Sequence, residues 1–163
     1  LATDYFPDQP ATGLDQLAGP ASLGQLLPKA DVVILAAPLT PQTREMIDAE
    51  AVSLMKSGSI LINVARGGLV VEAAVVAGLE SGHLDSAGFD VTPEEPPAAE
   101  RPLWDAPGLL ITPHVGGQSA HRIDRMTDLF CANLVRYSQG RPLINAVDKR
   151  LGFPSPDGPP LPF

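Results

Sequence analysis

The sequence predicts an α/β fold built on a parallel sheet, and three observations carry that reading. Two continuous apolar runs, Asp31 to Pro38 (DVVILAAP) and Ser59 to Ala65 (SILINVA), are rich in β-branched residues and have the length of strands buried on both faces. Stretches with helical character separate these runs from two further strand-like segments, and alternation at this interval means βαβ units. Unusual residues fall at the carboxyl ends of the strand-like segments: Asp4, Pro38, Arg66, Asp90 and His114. In open parallel sheets ligands bind at the carboxyl ends of the strands.

Taken in order, Leu1 to Thr3 is apolar and reads as the end of a strand leading into Asp4. The Pro-, Gly-, Asp- and Gln-rich stretch that follows reads as a loop. Ser22 and Gln25 have capping-box spacing ahead of Leu26 and Leu27, so a short helix is expected there. DVVILAAP is the next strand, stopped by its proline. Asp48 is placed to cap a helix through Met55, with Gly58 closing that region. SILINVA follows and runs into Arg66-Gly67-Gly68. Val70 to Gly82 reads as a helix despite its valines, ending in a glycine cap. Ser86 to Val91 (SAGFDV) is a third strand, and an acidic, proline-rich loop, PEEPPAAERP, comes after it. Leu109 to Thr112 is a fourth, short strand. Between Ser119 and Gln139, Ile123, Met126, Leu129, Phe130 and Leu134 are spaced as the apolar stripe of a long helix that Gly140 ends. The residues from Pro154 onward read as poorly ordered or extended.

Composition narrows the partners. Hydrophobic residues make up 44% of the 163, enough for a sizeable core, and the net charge of -8 argues against nucleic acid and anionic membranes. No apolar run approaches the roughly 20 residues that span a bilayer. The single cysteine, Cys131, cannot form an internal disulfide and fits a reducing compartment; it is expected as a small core residue. The three histidines have no metal-ligand spacing, so no metal is expected.

Several residues have both a chemical and a plain reading. Arg66, beside two glycines, can offer a guanidinium fork to a carboxylate, or can simply form a surface ion pair. One of Glu94 and Glu95 can pair with an imidazole and orient it; the alternative is a solvated acidic loop. His114 stands before Gly116 and Gly117, which allow close approach of a ligand, and histidine is the usual proton carrier near neutrality; it can equally be a hydrogen-bonded turn residue. Asp4 can accept from ribose hydroxyls and repel an added phosphate, or can cap a turn. His83 and His121 read as structural or solvated.

DVVILAAPLTPQTREMID, LMKSGSILINVARGGLVVEAAVVAGLESG, AGFDVTPEEP and PLWDAPGLLITPHVGG, in this order, resemble the carboxyl-terminal part of the nucleotide-binding domain of the D-isomer-specific 2-hydroxyacid dehydrogenases. GRPLINAV is similar to that family's return segment. The resemblance covers residues 1–147 and leaves 148–163 as a tail. It implies a partial Rossmann-type, doubly wound parallel sheet, NAD as cofactor, a small 2-hydroxy or 2-keto acid as substrate, a homodimer when intact and a cytoplasmic setting. It also implies roles: His114 as general acid/base, Glu95 as its partner, Arg66 as the substrate-carboxylate clamp. Asp4, Pro38, Thr43, Ala65, Arg66, Asp90, His114, Gly116 and Gly117 match cofactor-side positions. Phosphite oxidation by a related enzyme, and a non-catalytic dimerising or scaffold module, are the alternatives. G-x-G-x-x-G, the family's phosphate-gripping turn, occurs nowhere in the 163 residues. The chain is therefore expected to be a piece of the enzyme, lacking the first strand and glycine-rich turn, with exposed apolar sheet surface and little activity alone.

Overall fold

The computed structural model describes residues 1–8, 12–154, 158, 159 and 161. They divide into two compact units, Leu1–His114 and Val115–Phe163.

The first unit is organised by four parallel strands in sequential order: β3 (Val32–Leu35), β4 (Ser59–Asn63), β5 (Leu84–Phe89) and β6 (Leu109–Ile111). Two short strands, β1 (Ala2–Thr3) and β2 (Leu17–Ala18), pair parallel in a separate sheet. Between them come three helices, α1 (Leu23–Leu26), α2 (Ala49–Leu54) and α3 (Glu72–Glu80). The register aligns Val33, Leu61, Ala87 and Leu109 across the larger sheet, and two residues on aligns Leu35, Asn63, Phe89 and Ile111. Side chains two apart share a face, and this face is the buried one. Leu61, Ala87 and Phe89 meet Ala51 and Val52 of α2 and Val75, Val76 and Leu79 of α3 in a single core.

Helices α2 and α3 form for different reasons. Asp48 caps α2 by accepting from the Ala51 N–H at 2.9 Å, as its position predicts. Two β-branched residues, Val75 and Val76, sit inside α3 against propensity, but both are buried, so tertiary packing outweighs the loss of rotamer freedom. Gly82, at φ +72°, turns the chain out of α3 in the left-handed region that glycine adopts without cost.

Three expectations about the first unit need correction. DVVILAAP is not buried on both faces: Val32 is 45% and Ile34 61% exposed. β3 is an edge strand, and the core forms against the other face only, where Leu35 points. Ser22 occupies the N-cap of α1 without a side-chain hydrogen bond, so the capping box does not close. The short 3-10 turn Pro20–Ser22 that precedes the helix already holds the Ser22 backbone. The loop after Asp4 contains β2, whose residues pair with β1; Gln9, Pro10 and Ala11 of that loop lie outside the described residues.

The second unit holds α4 (Arg122–Ser138) and a small antiparallel ladder of β7 (Val147–Asp148) and β8 (Phe153–Pro154). Asn133 ties the helix to the following segment: its side chain donates to the Ile144 carbonyl at 3.1 Å and accepts from the Ile144 N–H at 2.7 Å. The predicted apolar stripe of α4 is present but exposed, with Ile123, Met126, Phe130 and Leu134 all more than half open to solvent. Cys131, expected in the core, is exposed on the same helix, because no residue of α4 is buried. In the tail predicted from Pro154 onward, residues 155–157, 160, 162 and 163 lie outside the described set.

Burial on one face alone makes a stability prediction. Leu61→Ala, at a fully buried site, should cost about 2–5 kcal/mol in urea unfolding. Ile34→Ala, on the open face of β3, should stay within about 1 kcal/mol of the wild type. Similar costs at both sites would contradict the one-sided core.

Candidate functional site

The parallel ladder brings the ends of β4, β5 and β6 side by side, and the predicted residues follow those ends. At the end of β4, Asn63 is fully buried after the apolar run Ile60–Leu61–Ile62. Its amide donates to the Arg66 carbonyl at 2.9 Å and accepts from the Ala65 N–H at 3.1 Å. The side chain thus folds the chain back and sets the Arg66 backbone. Arg66 is exposed, with Nη1 donating to the Ala65 carbonyl at 2.6 Å. Ala65 itself is buried.

Gly67 lets this turn press against the segment that leaves β5. A Cβ added there would lie 2.0 Å from the Thr92 carbonyl carbon, so only glycine fits. From that contact the loop carrying the acids begins. Thr92 N–H donates to Glu95 Oε1 at 3.1 Å, and Thr92 Oγ1 donates to the Glu94 carbonyl at 2.6 Å. The Glu95–Pro96 peptide is cis.

Glu95 Oε2 then meets His114 Nδ1 at 2.7 Å. Of the two acids it is therefore Glu95 that pairs with the imidazole; Glu94 turns to Arg101 at 3.4 Å. A carboxylate only accepts, so Nδ1 carries the shared proton and Nε2 is the ring nitrogen this contact leaves unused. His114 has a left-handed backbone, φ +54°, and its N–H donates to the Thr112 carbonyl at 3.0 Å across Pro113. The hydrogen bond from His114 holds the Glu95 carboxyl below the usual range, against desolvation, with help from the Thr92 N–H and the charges of His114 and Arg66. Arg66, Glu95 and His114 thus share one electrostatic neighbourhood.

The remaining predicted residues have definite places. Asp90 is buried, and its carboxylate accepts from Thr112 Oγ1 at 2.5 Å, which joins the ends of β5 and β6. Thr43 Oγ1 donates to the Pro38 carbonyl at 2.6 Å, so those two are brought together. Asp4 is exposed at the end of β1, where its Oδ1 accepts from the Phe6 N–H at 2.8 Å. Gly116 and Gly117 belong to the second unit. His83 bonds the Val52 carbonyl through Nε2 at 3.0 Å, a structural contact, and His121 is the N-cap of α4. Asn63, Gly67, Thr92 and Thr112 were not singled out from the sequence. An asparagine inside SILINVA was the one signal that could have marked the first of them. No group of three metal-ligating side chains occurs among the described residues, and none of their helices is long and apolar enough to cross a membrane.

The parallel four-stranded sheet, with an exposed acid after β1, a buried acid after β5 and a histidine after β6, has the architecture of a nucleotide-cofactor-binding domain. The chain belongs to the D-isomer specific 2-hydroxyacid dehydrogenase family: the model of its NAD binding domain matches residues 1–116. The glycerate dehydrogenase of Methylorubrum extorquens is 41% identical over 144 residues, covering 87% of this chain and 43% of that protein. A hydroxypyruvate reductase of Blautia hydrogenotrophica is 37% identical, covering 78% of this chain and 39% of that protein. The chain thus spans less than half the length of these curated relatives. Among solved structures, a D-isomer specific 2-hydroxyacid dehydrogenase of Xanthobacter autotrophicus Py2, in complex with NADPH and MES, superposes with a TM-score of 0.79 at 34% identity, over 89% of this chain and 60% of that one.

The lowered carboxyl of Glu95 gives a pH dependence. Its folded pKa lies below its unfolded one, so its contribution to stability is present above the ordinary glutamate range and fades as pH falls through the folded value. In urea unfolding between about pH 6 and pH 3, the advantage of the wild type over Glu95→Gln should shrink toward the acid end. An advantage that grows on acidification would contradict the pairing.

Proposed function

We propose that this chain carries the cofactor-side part of an oxidoreductase that transfers a hydride between NAD(H) and a small 2-hydroxy or 2-keto acid. The observation that supports this most is the Glu95–His114 contact at 2.7 Å, with the Arg66 charge in the same neighbourhood. A proton carrier, a group that orients it and an anion clamp are what such a reaction asks of the protein.

The donor set fits a dinucleotide. The exposed Asp4 carboxylate can accept from ribose hydroxyls and repels a 2′-phosphate, which favours NAD over NADP. Pro38, at the carboxyl side of β3, and Thr43, which donates to its carbonyl, together with Ala65 after β4, are taken as the cofactor-side positions of the first unit. Asp90, after β5, adds a carboxylate at the same sheet end. When bound, the nicotinamide supplies or accepts the hydride.

The chain's own residues do the rest. Arg66 exchanges its contact with the Ala65 carbonyl for the two oxygens of the substrate carboxylate. In reduction, His114 as imidazolium donates the Nε2 proton to the oxygen of the former carbonyl, while Glu95 keeps Nδ1–H in place and stabilises the positive ring before transfer. In oxidation neutral His114 accepts the hydroxyl proton at Nε2. Glycerate, hydroxypyruvate and glyoxylate are the substrate candidates, on the likeness to relatives bearing those names.

In an active protein containing this chain, His114→Ala should lower kcat by roughly 100-fold or more, whereas Arg66→Ala should chiefly raise KM for the keto acid. Steady-state NADH oxidation with hydroxypyruvate measures both. Equal, small effects would remove the assignment. Since the 163 residues hold no glycine-rich phosphate turn, the chain by itself should bind NADH weakly in isothermal titration, and micromolar affinity would overturn that expectation.

A further inference from the structure

We propose that Arg101 is a positioning residue that ties the Glu95 loop to helix α3 and thereby holds Glu95 against His114. This rests on the reading of Glu95 and His114 given above. Arg101 stands just before the 3-10 turn Pro102–Asp105 and uses its guanidinium in two directions. Nε and Nη2 donate to the two carboxylate oxygens of Glu72, at 3.1 and 3.0 Å. The third nitrogen, Nη1, donates to Glu94 Oε2 at 3.4 Å. Glu72 lies in the first turn of α3 and its side chain is only 13% exposed. Helix α3 is itself pinned by Val75 and Leu79 in the core.

The consequence is mechanical. Glu94 immediately precedes Glu95, so the fork joins a core-anchored helix to the residue next to the histidine's partner. Thr92 restrains the loop from one side, through Glu94 and Glu95. Arg101 restrains it from the other, and its own N–H closes a turn on the Ala98 carbonyl, where Trp104 Nε1 also donates. Lysine could not reproduce this arrangement, because a single ammonium cannot present two parallel bonds to Glu72 and a third to Glu94. Arg101 touches neither Glu95 nor His114, so it acts through the loop.

The test follows the Glu95 carboxyl by carbon-13 NMR titration in the 163-residue chain, which needs no substrate and is therefore independent of turnover. Both Arg101→Ala and Glu72→Gln should raise the Glu95 midpoint toward the ordinary glutamate range as its contact with His114 loosens. The second variant separates geometry from charge. Removing the negative charge of Glu72 would by electrostatics alone lower the midpoint, so a rise there requires displacement of the loop. Arg101→Lys, which keeps the charge, should behave as Arg101→Ala and provides the same reading if the alanine variant does not fold. In the active protein, Arg101→Ala should lower kcat roughly 3- to 10-fold with KM within about 2-fold. An unchanged midpoint in the arginine variants, or a fall in Glu72→Gln, overturns the proposal.

Discussion

The parallel ladder from β3 to β6 is the constraint on which the site depends. Because neighbouring strands run the same way and each crossover returns to the same end, whatever follows a strand arrives at a common edge. Arg66 follows β4, Asp90 follows β5 and His114 follows β6, although 48 positions of sequence separate the first from the last. The register then makes contacts between them. Asp90 N–H donates to the Asn63 carbonyl and Thr112 N–H to the Phe89 carbonyl, each at 2.9 Å, which extends the ladder one residue past the strands and into the site.

The same ladder is buried unequally. Helices α2 and α3 supply apolar side chains to the face bearing Leu61 and Phe89, and the core closes there. The other face keeps Ile34 and Leu110 largely exposed. The helices therefore do two things at once: they provide the stabilising burial, and through Glu72 at the start of α3 they offer a fixed point for the loop after β5. Stability and placement of the acid partner draw on the same element.

Much of this was legible in the sequence, and the failures have physical causes. β3 and β4 were found because a parallel sheet demands apolar, β-branched runs between helices, β5 was found two residues out of place because its run LDSAGF holds no β-branched residue, and Asp48 was found because a cap has a fixed offset from its helix. Glu95 and His114 were named, but the spacing of residues could not choose between Glu94 and Glu95. The Thr92 N–H, itself seated by the Gly67 contact, makes that choice, and a close backbone approach leaves only a glycine as its trace. Burial was misjudged for Val32, Ile34 and Cys131 for one reason. Composition shows that a side chain is apolar, but not whether another element covers it.

The Glu95–His114 pair cannot hold itself in place. Both side chains are more than a third exposed, and an ion pair in that setting contributes about 0–1 kcal/mol, too little to order a proline-rich loop against its conformational entropy. The direction of dependence must run the other way: the loop is ordered first, by Thr92 on one side, the Gly67 contact beneath it and the Arg101–Glu72 fork on the other. A pair that is weak in itself but held from outside is compatible with the proton-carrier role proposed for His114. It keeps the imidazole oriented through Nδ1, and the partial exposure that makes the pair weak leaves its side chains open to solvent.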